Sequence, residues 1–411
     1  MASEFIPKRP HKKSRGGCGI CKARKVKVGF QVKILEGVAH AHAHTPSATR
    51  SDQNALIATR EASHSQSATP LNTTTVPEFE EGVENIHRDD WGLIMSPSSP
   101  AVNSSIGILS PTDLRYMHHW STSTWNSVAV GNWADGVLKM AVPSLAFDHD
   151  FLLNTMLGIA SLHSQHLLPY PRQAQIQTSI YRARALKGLR NALTDITCGS
   201  RKYEAGLITS LMVTILCSRD EIAGEGELTI VQWLILYRGL NTIILLRDYD
   251  ALNNLSVSPI FRREIAPLKT APLIPTILVD MLREIGPLDP DFELLEYLCQ
   301  ALDALGLLFG QLKEDGLGPA LSIRVITYPS YCPNEFALAA QNRRPRALVI
   351  LAYYMVFTKL VKDLWWVEGI AEREFGTLLG MLGPEWYAYV EVPVQAMMTN
   401  SDYDVVELML K

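Results

Sequence analysis

The clearest metal chemistry in this sequence lies in two cysteines. Cys18-Gly19-Ile20-Cys21 is a C-x2-C pair, a turn that can aim two thiolates at one tetrahedral Zn²⁺. His11-Lys12-Lys13-Ser14-Arg15 precedes the pair and Lys22-Ala23-Arg24-Lys25-Val26-Lys27 follows it. A thiolate pair seated on such a basic segment would set Lys12, Lys13, Arg15, Lys22, Arg24, Lys25 and Lys27 against nucleic-acid phosphates. A structural zinc site wants four ligands. The next cysteine after Cys21 is Cys198, so two thiolates stand alone and the arm as written does not close a zinc site. His40, His42 and His44 alternate with alanine, a pattern that reads as compositional drift and not as a ligand set.

Charge sets this arm apart from the rest. The 411 residues carry a formal net charge of −4. Ten Lys and Arg fall between Lys8 and Lys33 with no Asp or Glu among them, and the other 28 basic residues face all 42 acidic ones, which leaves −14 on the remainder. A short basic arm on a large acidic body points to an anionic partner for the arm. The chain is 47% apolar and 19% charged, the second figure lying below the roughly 25% of ordinary soluble chains. That balance predicts a well-buried body and argues against disorder throughout. No apolar stretch approaches the roughly 18 residues of a membrane span; the longest runs lie near Leu211–Cys217 and Ala347–Phe357. Met1–Arg15 lacks the apolar core of a secretory leader. Cys198, Cys217, Cys299 and Cys332 are scattered singly and read as small buried hydrophobes in a reducing compartment, cytosol or nucleus.

Three zones must position these groups. Residues 1–33 form the basic arm. Residues 34–108 are rich in Ser, Thr, Ala, His and Pro without sustained apolar period, which predicts a mostly disordered linker. Residues 109–411 carry helical periodicity and predict an all-α domain of about eight to ten helices. Ser110-Pro111-Thr112-Asp113 is a helix start. Helices are expected over 150–168, with Leu152, Met156, Ile159 and Leu162 on one stripe, and over 174–196, with Ile180, Leu186, Leu189 and Leu193. Others are expected over 203–217, 229–246, 292–312, 345–361, 370–382 and near 394–408. Proline-punctuated loops are expected near 253–274 and 286–290.

His11 through Lys27 resembles the opening of the fungal binuclear zinc-cluster (Zn2Cys6) transcription factors. The resemblance implies zinc held by Cys18 and Cys21 among other ligands, with Lys22, Arg24, Lys25 and Lys27 on a recognition helix or its phosphate-contacting edge. The family pattern places a third cysteine at position 28, where this chain has Val28, and the likeness stops after Lys27. Either a diverged member has lost its cluster, or residues 28–44 belong to a segment that the mature message does not encode. The body adds independent likeness. Thr112–Thr124, Phe151–His163 and Arg344–Tyr354 followed by Trp365-Trp366 resemble, in order and spacing, blocks of the regulatory region of sterol uptake-control-type factors. They imply a helical domain that dimerises and senses an apolar ligand, a sterol in the sterol-sensing members, attached to a DNA-binding head in the nucleus.

The body carries candidate chemistry of its own. His118-His119 beside Trp120, and His163 with His166 three residues on, could face a pocket or a metal, although helix-spaced histidines are more often packing residues. Asp148-His149-Asp150 lacks a nucleophile partner and suits the start of a helix. The sequence shows no G-x-S-x-G, Walker loop, G-x-G-x-x-G or H-E-x-x-H, and no enzyme is expected. The function expected is a DNA-binding regulator of RNA polymerase II transcription that works as a homo- or heterodimer. The alternative is a helical interaction or decoy subunit, able to bind a sterol or lipid, that has lost specific DNA contact.

Overall fold

The computed structural model describes residues 102–104, 107–167, 172–194, 201–219, 228–246, 252–261 and 266–411. It begins with a two-stranded hairpin, β1 (Val102–Ser104) antiparallel to β2 (Gly107–Leu109), with Val102 opposite Leu109. The rest is helix and connection, an all-α body as the periodicity predicts.

Local chemistry fixes the first helix, α1 (Pro111–His119). Ser110 Oγ accepts from the Asp113 amide at 3.2 Å, and the Asp113 carboxylate accepts from the Ser110 amide at 2.7 Å. This reciprocal cap satisfies two donors that the helix cannot, and Pro111 sits where its missing N–H costs nothing. The Tyr181 hydroxyl donates to the same carboxylate, which ties the cap to the core. The helix then widens into a π turn over Trp120–Thr124, in which the Trp125 amide reaches the Trp120 carbonyl at 3.2 Å. A second π turn, Val137–Ala141, leads into α2 (Val142–Ala146).

Three long helices follow, α3 (Asp150–Leu167), α4 (Arg172–Thr194) and α5 (Arg201–Leu216). Their close approach depends on glycine. A β-carbon at Gly158 would lie 2.7 Å from Leu216 Cδ1 and 3.2 Å from Tyr181 Cβ, and one at Gly188 would lie 2.9 Å from Phe151 Cβ. The stripe expected on α4 is corrected here. Of the four residues expected, Leu189 is buried and Leu186 packs on the core, but Ile180 and Leu193 are exposed, and the rest of the buried face is Thr178, Tyr181, Arg182, Ala185 and Ala192. Alanine lets α4 lie close to α3, so small residues share the packed face with Leu186 and Leu189 and displace Ile180 and Leu193 from it.

The remaining helices are α6 (Thr229–Ile244), α7 (Ser258–Phe261), α8 (Thr276–Arg283), α9 (Leu295–Asp315), α10 (Pro319–Tyr331) and α11 (Asn334–Gln341). They are followed by α12 (Pro345–Lys359), α13 (Ile370–Gly380), α14 (Glu391–Met398) and α15 (Asp402–Leu410). Fifteen α-helices among the described residues exceed the about eight to ten that periodicity suggests. The excess has a physical origin. α8 and α11 span about two turns, too short for a period to show, and α10 carries Pro329 in its last turn. The single segment expected near 394–408 is two helices. Thr399 is extended, and the Ser401 hydroxyl caps α15 by accepting from the Asp404 amide at 3.3 Å.

The core centres on α12, in which every residue from Ala347 to Thr358 is buried; α9, α10, α11, α13 and α14 pack around it. Phe357 meets Phe309 edge-on at 4.9 Å and Tyr354 stacks on Tyr328 at 4.3 Å. Polar ends are handled individually. Lys359 Nζ donates to the carbonyls of Ala396, Met397 and Thr399 at 2.7–3.0 Å, a lysine closing the C-terminus of α14. Glu374 Oε2 accepts from the Thr229 amide at 2.7 Å and caps α6 from α13. Among the described residues no helix is long and apolar enough to cross a membrane.

The two kinds of helical glycine predict opposite responses. Gly158→Val forces apart α3, α4 and α5 and should lower unfolding stability by about 1–3 kcal/mol. A β-carbon at Gly239 on α6 meets nothing within 4 Å, so Gly239→Ala should raise it by roughly 0.5–1 kcal/mol. Urea unfolding of both variants measures the difference.

Candidate functional site

The three blocks singled out in the body's sequence converge on one place. His163 of α3 lies within hydrogen-bonding reach of two hydroxyls, Thr124 Oγ1 at 3.1 Å from Nδ1 and Ser127 Oγ at 3.4 Å from Nε2. The π turn makes this possible, since widening the helix end swings Thr124 inward, where it is buried. Trp365 stacks on the His163 ring at 5.0 Å and on His166 at 5.6 Å. Its indole N–H donates to Ser127 Oγ at 3.2 Å, and its carbonyl accepts from Arg219 Nη2 at 2.8 Å. His119 closes the cluster, its ring 5.2 Å from that of His163, whereas His118 is exposed. Trp366 continues the joint, donating to the Val128 carbonyl at 3.1 Å and meeting Trp233 of α6 edge-on at 5.6 Å.

Electrostatics make this cluster a packing element. Burial, with His119 and His166 close by, lowers the His163 pKa to about 4. Burial likewise lowers His119 and His166, with His118 and Arg219 respectively adding to the effect. Neutral imidazoles suit an aromatic stack, and both His163 nitrogens face hydroxyls. No group of three or more His, Cys, Asp or Glu able to hold a metal occurs among the described residues, so the histidines do not form the ligand set that their spacing allowed.

A second polar cluster seats the N-terminus of α12. Asp291, 2% exposed, accepts from Arg344 Nε at 2.8 Å and from Arg346 Nη1 at 2.8 Å. Arg346 also forks onto Asp289 at 2.9 and 3.0 Å and lies 5.2 Å over the Trp386 ring. Burial works against the Asp289 carboxylate, but the Asp291 amide and the Arg346 fork hold it below its ordinary range. The arginines sit in the sequence block Arg344–Tyr354; their acidic partners lie in the 286–290 turn and just after it, more than fifty residues earlier, and no spacing pointed to them.

The other residues considered for chemistry are structural. Asp148 pairs with Arg201 at 3.3 Å on the surface, and the His149 carbonyl accepts from the Leu152 and Leu153 amides at the start of α3. Cys217, Cys299 and Cys332 are buried and in no disulfide, and burial pushes the Cys332 thiol up to about 12. Met212 and Phe357 are buried in the core. Cys198, the histidines at 40, 42 and 44, and the whole arm with Cys18, Cys21, Lys12, Lys13, Arg15, Lys22, Arg24, Lys25 and Lys27 lie outside the described residues.

The fungal specific transcription factor domain matches residues 115–265, from α1 through α7. A Zn(2)-C6 fungal-type transcription factor of Gibberella zeae is 25% identical over 441 aligned positions that cover 95% of this chain and 86% of that protein. Sterol uptake control protein 2 of Saccharomyces cerevisiae is 23% identical over 293 positions, 66% of this chain and 30% of the yeast protein. These likenesses support the fungal Zn2Cys6 transcription factor family. The domain model and the Gibberella relative carry transcription-factor names, which support a transcription regulator and not an enzyme. The Zn(2)-C6 name implies zinc in intact relatives, but the donor set here does not fit it. Cys18 and Cys21 are two thiolates where four ligands are needed, and the three cysteines described in the body are buried in its helices.

Two outcomes follow from this geometry. An unfolded imidazole titrates near 6.5, so between that value and about 4 the unfolded chain holds a proton that folded His163 does not. Stability therefore falls as pH drops through this window, approaching a loss of about 3 kcal/mol from this group. His163→Gln should remove about one proton from the pH slope of the urea-unfolding free energy between pH 6.5 and 4. Asp291→Asn leaves Arg344 facing a neutral amide. Since the Arg344 side chain keeps 34% of its surface exposed, the loss should be about 3 kcal/mol, the low end for a broken buried pair, read from the same unfolding assay.

Proposed function

We propose that this chain works in the nucleus as a transcription regulator whose helical body, residues 109–411, is the working part, joined by the linker 34–108 to the basic arm 1–33. The body dimerises, with itself or with an intact relative, and senses a small apolar ligand. The arm supplies attraction to DNA through Lys12, Lys13, Arg15, Lys22, Arg24, Lys25 and Lys27. The observation that carries this reading is the fungal-specific transcription factor domain spanning 115–265 in a chain whose basic charge is concentrated between Lys8 and Lys33.

Specific DNA recognition through Cys18 and Cys21 is conditional on a complete cluster. Val28 at the third-cysteine position favours a second reading, in which the chain is a helical interaction or decoy subunit that pairs with intact relatives and brings no base-specific contact of its own. Zinc analysis and a DNA titration across salt separate the two. The purified chain is expected to carry no stoichiometric zinc. Its DNA affinity should fall with salt at a slope of up to about −6 on logarithmic axes for seven phosphate contacts, without sequence preference. Stoichiometric zinc together with preference for one sequence would show a completed cluster and overturn the decoy reading.

A further inference from the structure

The N-terminal turns of α6, the end of α11 and the residue that closes α13 line a cleft of about 240 Å³. Leu228, Val231, Ile235 and Met381 give it an apolar wall, and Gln341 and Arg343 belong to its polar rim. Arg343 is the one charged side chain in that lining. Its neighbours Arg344 and Arg346 are engaged by Asp289 and Asp291, and Arg343 forms no ion pair with any described residue.

The backbone at Arg343 is the second observation. Its φ is +55°, and among the described residues it is the single non-glycine with positive φ. It ends α11 in a Schellman motif, with the Arg343 amide donating to the Ala340 carbonyl at 3.0 Å and the Arg344 amide to the Ala339 carbonyl at 2.9 Å. That position normally belongs to glycine, because a β-carbon is disfavoured in the left-handed region. An arginine held there in spite of the strain, beside an apolar cleft, points to a role for its side chain.

We propose that this cleft binds an aliphatic carboxylate, the chain lying against Val231, Ile235 and Met381 and the carboxylate meeting the Arg343 guanidinium. Guanidinium matches carboxylate in a charge-assisted, two-pronged geometry. A concavity that pairs apolar side chains with a few polar groups suits an amphiphilic ligand, and a volume below the roughly 300–1,000 Å³ of drug-sized sites favours a slender chain over a fused-ring ligand. The proposal names the ligand class for the sensing role given to the body above and rests on that reading.

The test uses the full chain with sodium decanoate below its micellar concentration, and with 1-decanol, sodium acetate and a sterol in parallel, by thermal unfolding and titration calorimetry. Decanoate should raise the melting temperature saturably, and decanol and acetate should bind at least tenfold more weakly. Arg343→Gly relieves the strained β-carbon, so it should melt at or above the wild-type temperature while losing at least tenfold in decanoate affinity. Val231→Trp, which fills the cleft, should also lose decanoate. Equal binding of decanol, undiminished binding by Arg343→Gly, or no saturable shift with decanoate overturns the proposal. So does a sterol response with decanoate inert, an outcome that leaves the regulator reading standing. Decanoate binding that depends on Arg343, in a chain that neither dimerises nor associates with an intact relative, upholds the site and overturns that reading.

Discussion

A helix with no face to solvent governs this body. α12 buries every residue from Ala347 to Thr358, so neighbours must cover its whole circumference, and α9, α10, α11, α13 and α14 do so. Such a helix still has polar ends. At its start, two arginines stand where the helix dipole is unfavourable to cations, and they remain because Asp289 and Asp291 fold over them. At its end, Lys359 reaches out to the carbonyls that close α14. Full burial of the helix and charged anchoring of its two ends are one device. The apolar cylinder supplies the burial energy, and the ion pairs fix which turns and helices lie against it.

Much of this was legible because full burial leaves a plain mark. The runs over 203–217 and 345–361 are apolar on all sides, and each is a central helix within two residues of the expected ends. Ser110-Pro111-Thr112-Asp113 was legible for another reason, since its cap is local chemistry completed within four residues. What escaped notice is non-local or small. The buried face of α4 is made of Ala185 and Ala192 with Tyr181 and Thr178, and hydropathy ranks Ile180 and Leu193 above them. The helices over 276–283 and 334–341 contribute too few residues for a period to emerge.

The candidate site shows the same division. His119, His163 and Trp365 were visible as residue types, but their meeting depends on a π turn that re-aims Thr124 and on Ser127, 36 positions from His163 and 238 from Trp365. Histidines three or four apart on a helix suggested a shared ligand. Burial instead makes them neutral, and a neutral imidazole between hydroxyls and an indole is a packing piece. The joint has an architectural consequence. Residues 115–265 match the family domain, whereas Trp365 and Trp366 lie a hundred residues beyond it and pack onto its Ser127, Val128, His163 and Trp233. The matched region is therefore not closed by itself; its aromatic side is completed by the loop that follows α12.

Charge decides which part of the chain can meet which partner. Ten basic residues lie between Lys8 and Lys33, and of the −14 on the remainder half, −7, falls in residues 109–411, so over the roughly 8–10 Å at which charge acts at physiological salt the arm is the part that attracts a phosphate backbone. On the reading proposed above, the arm would supply attraction to DNA without base specificity, since two thiolates stand where four ligands are needed. The body's stability comes from apolar burial and buried ion pairs, not from a metal, so it should fold whether or not the arm ever binds zinc.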